Sequence, residues 1–382
     1  MLVSNFSPFG HLNLFRISDF ELEFQFDAWR EEYQRVATQG ALTSMANLKL
    51  SFITGPHERV MPLLDGRIKI EGVEDLTYTI SDPSVTFWRQ LTFGEFEISE
   101  MSLSSYLIAR SKGMDMIAIP AFPARRFMHS ELSINVDSGV KKPQDLVGKR
   151  IGVGDYQQTS ALWTRGVLEH DFGVSQYEVE WWMERSEDLS HGGATGFVPP
   201  QGIKFQRIPE NKSLASMLVN DELDAAPVGR AFRPEQNIVD RSTRIRASGG
   251  DWSKVKPLFP DKIAEGTRFF KEHGFIPANH TIIIRGDVDK KYPWLAFNLY
   301  SALLEAKKLA EETLARRIPQ SLVFGPEYLA RTREIFGHDP FPYGIEANRK
   351  FLQTTIDFSH EQGLTPSKDH VEDLFVPSTR TV

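Results

Sequence analysis

The chain contains no cysteine. Disulfide frameworks, thiolate zinc sites, iron–sulfur clusters and cysteine nucleophiles are thereby excluded together. No run of residues approaches the ~18 consecutive apolar positions of a spanning helix, so no membrane partner is expected. Nor is there a basic excess. With 44 Lys and Arg against 51 Asp and Glu the net charge is −7, and no basic stripe stands out, so no nucleic-acid partner is expected. Neither G-x-G-x-x-G nor a P-loop occurs, and nucleotide cofactors are not indicated. H-E-x-x-H and close H-x-H pairs are also missing, which removes the local zinc motifs. Between Met1 and Phe20 the only basic residue is Arg16, and polar residues interrupt the apolar ones. That is not the basic start and unbroken apolar run of a secretory signal, and a cytoplasmic location is expected.

What is present is ordinary for a globular protein: 382 residues, 41% hydrophobic and 25% charged. The length suggests two lobes. Residues 1–46 read as an extension, with Phe-rich acidic patches and a helix at Trp29–Thr38. The body begins at Asn47. Leu48–Ile53 alternates like a strand, Val85–Leu91 is helical, and Phe96–Met101 is a strand. Ser102-Leu103-Ser104-Ser105 opens a helix, and Met116–Pro120 is a buried strand. A second run follows, with strands at Glu131–Val136, Lys149–Gly154, Lys204–Ile208 and Leu223–Val228. Its helices lie at Ala161–His170 and Ser213–Asn220. A helix at Thr267–His273, the strand His280–Arg285 and long helices at Trp294–Leu314 and Glu346–Gln362 complete the chain. Alternating strands and helices imply an α/β protein with mainly parallel sheets under helices.

Val140 to Val153 (VKKPQDLVGKRIGV) and Ser213 to Ala225 resemble, in that order, two segments of the type II periplasmic-binding-protein fold. The resemblance implies two α/β lobes, two crossover strands and a ligand cleft between the lobes. Lobe 1 would be residues 47–130 and 279–382, and lobe 2 residues 131–278. The crossings would fall near Met128–Ser133 and Pro277–Thr281. A narrower resemblance runs from Lys49 to Pro377. It rests on Phe87-Trp88-Arg89, FEISEMSLSSYLIA (Phe96–Ala109), IPAFPARRFMHS (Ile119–Ser130) and GVGDYQQTSALWTRG (Gly152–Gly166). DPFPYGIEANRK (Asp339–Lys350) and SHEQGL (Ser359–Leu364) extend it. These stretches are similar to the 4,5-dihydroxyphthalate decarboxylase family, cytoplasmic relatives of those binding proteins. The resemblance implies a lyase of aromatic catabolism that takes 4,5-dihydroxyphthalate to 3,4-dihydroxybenzoate and CO2. A solute receptor for an aromatic dicarboxylate, or another lyase or dehydratase on the same scaffold, is the alternative.

Such a decarboxylation needs carboxylate anchors, an acid for the ring carbon and a partner for the para hydroxyl. Two helix starts are candidate anchors, because free N–H groups and the helix dipole attract anions. They are Ser102, Ser104 and Ser105 on one lobe, and Gln157, Thr159 and Ser160 on the other. Arg125 and Arg126, beside the first crossing, offer bidentate carboxylate binding. Arg230 and Arg233 are weaker candidates of the same kind, and Tyr156 would cover the aromatic ring. Each of these has a plain alternative: capping, surface charge or core packing. Of the ten His residues, His57, His129 and His280 sit at strand ends expected to face the cleft. His129 and His280 are the expected proton-transfer pair, facing one another across the two crossings. No cofactor is expected. A divalent metal is not excluded, since His129, His280 and Glu100 could converge from distant positions. The expected partner is a small aromatic carboxylate, and a homo-oligomer is compatible with the sequence.

Overall fold

The computed structural model describes residues 48–228, 239–241, 250–319 and 321–382. The extension at residues 1–46, with its expected helix, lies outside the described residues, as do Arg230 and Arg233. Lys49–Val382 forms one unit.

Eleven strands are described: β1 (Lys49–Thr54), β2 (Asp75–Ile80), β3 (Ile98–Ser102), β4 (Met116–Ile119), β5 (Ser133–Asn135), β6 (Arg150–Val153), β7 (Glu180–Met183), β8 (Lys204–Arg207), β9 (Ala225–Ala226), β10 (Val255–Pro257) and β11 (His280–Arg285). They form two sheets, in the orders β2-β1-β3-β11-β4 and β10-β5-β9-β6-β7-β8. In the first, β1 runs parallel to β2 and β3, and only β11 opposes its neighbours. In the second, β6 runs parallel to β7 and β9, and only β5 opposes its neighbours. The two reversed strands are the ones that directly follow a crossing from the other sheet. A strand entering from the other lobe starts at the opposite end and must run against the rest. This is a two-lobed type II periplasmic-binding-protein-like architecture of mainly parallel sheets.

The two crossings run side by side. Arg125 bridges Ala278 in antiparallel fashion, Arg126 N–H donates to the Pro277 carbonyl at 3.1 Å, and Asn279 N–H donates to the Ala124 carbonyl at 2.8 Å. The paired stretch therefore begins a few residues before Met128. Met128–Glu131 itself is a 3-10 turn.

Local chemistry sets the helices that matter for the cleft. At Pro83–Phe93, Asp82 caps the start through Ser84 N–H, Pro83 occupies the first turn, and Gly94 closes the end in the left-handed region. Leu103–Ser111 starts directly from β3, with Ser102 as its cap. Thr159–Phe172 follows β6, and no side chain caps its start. The polar Ser186–Gly202 stretch holds a short helix, His191–Thr195, capped by Ser190. Near the carboxyl end, helix Arg349–Glu361 packs against Thr159–Phe172, with the rings of Phe358 and Trp163 5.2 Å apart. The segment expected in lobe 1 thus also supports the second sheet's layer. Three described strands lie outside the expected ones: the edge strand β2, mostly exposed although Leu76, Tyr78 and Ile80 alternate with polar residues, the four-residue β7 and the three-residue β10. No described helix is long and apolar enough to cross a membrane.

Candidate active site

Between the sheets lies a cavity of about 610 Å³. It is lined from the first sheet's side by Ser84, Phe87, Ser102, Asn279 and His280, and from the second's by Thr159, Ser160, Arg185, His191 and Asp240. Arg126, next to the crossings, also reaches it.

Glu100 is the centre of the first-lobe side. It sits on β3, flanked by β1 and β11, and is fully buried. A buried carboxylate must be saturated with donors or it protonates. Here four donors converge. Thr54 Oγ1 donates to Oε2 at 2.9 Å and Gly55 N–H at 2.6 Å. His57 Nε2 donates to Oε1 at 2.8 Å, and His280 Nδ1 donates to the same oxygen. The two imidazoles beside Glu100 hold its carboxyl well below the usual range, against the pull of burial. Gly55 lets the His57 ring approach closely: a Cβ there would stand 2.9 Å from His57 Nε2, and the ring would have to shift.

Because an ionised carboxylate only accepts, His280 Nδ1 carries a proton. Its other nitrogen, Nε2, meets Asn279 Nδ2 at 2.7 Å. The His280 ring stacks edge-on against Phe87, with centroids 4.7 Å apart. Burial outweighs Glu100 and lowers the pKa of His280, and Arg126 and His57 push the same way. His57 is half-buried, and Glu100 raises its pKa above the ordinary value despite its burial. The trio brings three donor atoms within 4.8 Å of one another. The 2.8 Å between His57 Nε2 and Glu100 Oε1 is that of a hydrogen bond. Two ligands of a tetrahedral ion, each ~2.0–2.1 Å from it, would stand about 3.3 Å apart.

His129 is elsewhere. It sits on the 3-10 turn, donates through Nε2 to Glu265 at 2.7 Å and packs against Phe259 and Phe269. It does not line the cavity and has no contact with His280. The expected His129–His280 pair is therefore not formed, and neither is a set of His129, His280 and Glu100. The cause is that the turn at Met128–Glu131 directs His129 to helix Lys262–His273 rather than along a strand. The imidazole that shares a partner with His280 is His57.

The two helix starts also differ. At Ser102–Ser105 the N–H groups are already satisfied. Thr159 Oγ1 accepts from Ser104 N–H at 3.0 Å and meets Ser102 Oγ at 2.9 Å, and Ser102 Oγ accepts from Ser105 N–H at 3.4 Å. Ser105 Oγ meets His191 Nδ1 at 3.2 Å. Ser104 and Ser105 do not line the cavity. At Thr159–Phe172 no side chain caps the start, and Thr159, Ser160 and Ala161 face the cavity. That is the helix start with anion-binding capacity left over. Gln157 lies away from the cavity, accepting from Thr195 Oγ1 at 3.1 Å.

Arg125 lines the cavity, and its terminal guanidinium nitrogens are held by the protein. It donates to the carbonyls of Ile276 and Pro342 at 2.8 Å each and to Asn348 Oδ1, and burial lowers its pKa to about 9. It ties the second crossing to the carboxyl-terminal segment. Arg126 pairs with Glu131 at 3.0 Å and lines the cavity. Tyr156 is a core residue: its hydroxyl donates to Gln176 at 2.8 Å, and Arg165 stacks 3.9 Å over its ring.

On the second-lobe side Arg185 is the centre. It pairs with Asp240 at 2.7 Å, donates to Ser84 Oγ at 2.6 Å across the cleft, and meets His191 Nε2 at 3.1 Å. A guanidinium only donates, so His191 Nε2 accepts and Nδ1 carries the proton. Burial and Arg185 lower the His191 pKa to about 4. Arg185 and Asp240 carry no sequence signal, since their partners lie on distant segments.

The fold and site define an α/β protein of periplasmic-binding-protein-like architecture with a polar interlobe cavity built around a buried carboxylate–imidazole cluster. No protein-family model matches the chain. It is 30% identical over 340 residues to the 4,5-dihydroxyphthalate decarboxylase of Comamonas testosteroni, covering 88% of this chain and 98% of that one. It is 36% identical over 188 residues to the enzyme of the same name from Pseudomonas putida, covering 49% and 72%. The chain belongs to the 4,5-dihydroxyphthalate decarboxylase family. Among solved structures it is similar to the aliphatic sulphonate binding protein SsuA of Escherichia coli, at 14% identity and a TM-score of 0.48, covering 88% of this chain and 99% of that one.

Proposed function

We propose that this chain is a carboxy-lyase that converts 4,5-dihydroxyphthalate to 3,4-dihydroxybenzoate and CO2. The observation that carries the reading is family membership running through both lobes. The chemistry of the cavity fits it. In the substrate each carboxylate has a hydroxyl para to it. The leaving carboxylate departs as CO2, the bonding pair stays on the ring carbon, and that carbon takes up one proton from solvent. Ionising the para hydroxyl feeds electron density to the carbon. His280 is the proton-transfer residue: Glu100 fixes its Nδ1–H, and Nε2 takes the hydroxyl proton once the hydroxyl displaces Asn279 Nδ2 from it. Arg126 and the open start of helix Thr159–Phe172 are the carboxylate anchors, one from the crossings and one from the second lobe. The chain uses no cofactor in this reading, acts in the cytoplasm and has a small aromatic acid as its partner.

The test is turnover of 4,5-dihydroxyphthalate by the purified full chain, followed by CO2 release and product chromatography, with and without a chelator. One 3,4-dihydroxybenzoate per CO2, unchanged by the chelator, is expected. Tight binding with no product would replace the lyase by a solute receptor. Activity lost to the chelator and restored by a divalent ion would replace the metal-free mechanism.

A further inference from the structure

Glu100 has one charge and two imidazoles on one oxygen. His57 Nε2 and His280 Nδ1 both donate to Oε1, while Oε2 is occupied by Thr54 and Gly55. The ring centroids of the two imidazoles are 6.5 Å apart. They differ in what else surrounds them. His57 is half-buried and does not line the cavity, whereas His280 is buried and does. Two imidazoles so close to one carboxylate do not both carry charge, because the second proton meets the first one's field.

We propose that His57 is a positioning residue for proton transfer at His280: by sharing Glu100 Oε1 it keeps the His280 imidazole neutral and its Nε2 ready to accept a proton. The inference rests on the reading of His280 as the proton-transfer residue. The environment of each ring supports the division. Facing His57 are Glu100, Glu58 and Arg59, and its pKa is raised. Facing His280 are Glu100, Arg126 and His57, with Phe87 and Asn279 beside it, and its pKa is lowered. A proton on the cluster is thus held by His57 in preference to His280, beside an ionised Glu100.

The Asn279 side chain holds the neutral state of His280. Its Nδ2 donates to a neutral Nε2 at 2.7 Å, and its buried Oδ1 has no partner. When the substrate hydroxyl gives its proton to Nε2, the O–H bond breaks, an N–H bond forms and the electron pair stays on the phenolate oxygen. For this transfer the hydroxyl takes the place of Asn279 Nδ2 at the single lone pair of Nε2.

The experiment is a histidine NMR titration of the whole chain, with His280→Gln used to assign the His280 ring. Two variants are compared with the parent. His57→Gln removes the rival charge and is expected to raise the His280 midpoint by about one pH unit, because Glu100 then acts on His280 alone. The acid limb of kcat/KM should move up with it. His57→Lys restores a cation and should leave the midpoint at or below the parent value. A purely structural role would move both variants alike. Thermal melts identify any variant that fails to fold, and Glu58→Gln, at an exposed neighbour, serves as a further charge probe with a small downward shift of His57 only. A His280 midpoint that stays put in His57→Gln, or moves equally in Gln and Lys, overturns the inference. The titration needs no substrate, so its failure is separate from failure of the decarboxylase reading, which turnover alone decides.

Discussion

Two buried histidine–glutamate pairs lie among the described residues, and of these two one reaches the cavity. His280–Glu100 stands at the wall of the cavity, with the second ring nitrogen beside a side-chain amide. His129–Glu265 is walled in by Phe259 and Phe269, and Glu265 is further held by Arg268 at 2.8 Å. The pairing is the same. What differs is the access of the far nitrogen and the company of the carboxylate. Glu100 shares its charge between two imidazoles, so one stays neutral. Glu265 balances its charge against an arginine that is itself paired with Asp171. A carboxylate-backed histidine becomes a proton-transfer group only where its other nitrogen meets a substrate.

The largest expected effect separates the two directly. His280→Gln should lower kcat by about 10³-fold, within the range of general acid–base contributions, while KM changes little. His129→Gln should leave kcat within about three-fold. Comparable losses in both, measured as CO2 release at saturating substrate, would erase the distinction.

A third histidine sharpens it on stability. His191 faces Arg185 rather than a carboxylate, and its pKa lies at about 4, below the ordinary 6.5. Between these values the unfolded chain takes up a proton that the folded chain refuses. Its contribution to stability is therefore full above pH ~6.5 and falls as the pH drops to ~4, by about 3 kcal/mol. Urea melts from pH 7 to pH 4 should show this slope, and His191→Gln should flatten it. An unchanged slope would mean His191 is charged in the folded protein.

Next comes the carboxylate of the buried pair. The His129 and Arg268 side chains hold Glu265 below its ordinary pKa, although burial opposes them. Its stabilisation is present above pH ~4.5 and lost as the pH falls through the folded value. Glu265→Gln should cost about 1–3 kcal/mol of stability at neutral pH with kcat preserved. Glu100→Gln should instead lower kcat sharply. A Glu265→Gln protein with kcat as low as Glu100→Gln would place both pairs in the mechanism.

The smallest effect concerns anchoring. Arg126→Lys keeps the charge but loses the planar fork, and KM should rise about ten-fold. Unchanged kcat/KM would remove Arg126 from the substrate site.

Much of the architecture is legible in the residues. The Leu48–Ile53 alternation, the buried Met116–Ile119 run and the His280–Arg285 run are strands β1, β4 and β11 in the fold. Gly94 and Gly173 close the helices at Pro83–Phe93 and Thr159–Phe172. The site is legible only in part. His280, Arg126, Ser102, Thr159 and Ser160 line the cavity, whereas Tyr156, Gln157, Ser104 and His129 are held inside the lobes. The helix-start signal at Ser102–Ser105 is real as capping chemistry, but its N–H groups meet Thr159 and Ser102 rather than open space.

The sequence by itself determines the strands and helices, their alternation and the segments that resemble a family, because period and capping are local properties read within a few residues. It also places His280 at the start of its strand. What only the tertiary structure decides is which groups meet. Residues 43 and 180 positions away from Glu100 converge on one of its oxygens. His129, beside the crossing that was to carry it to His280, is instead turned by one 3-10 turn onto a helix 136 positions away. Partners of that kind are set by how two sheets and their crossings pack, and a charge balance made across such distances leaves no local pattern in the chain.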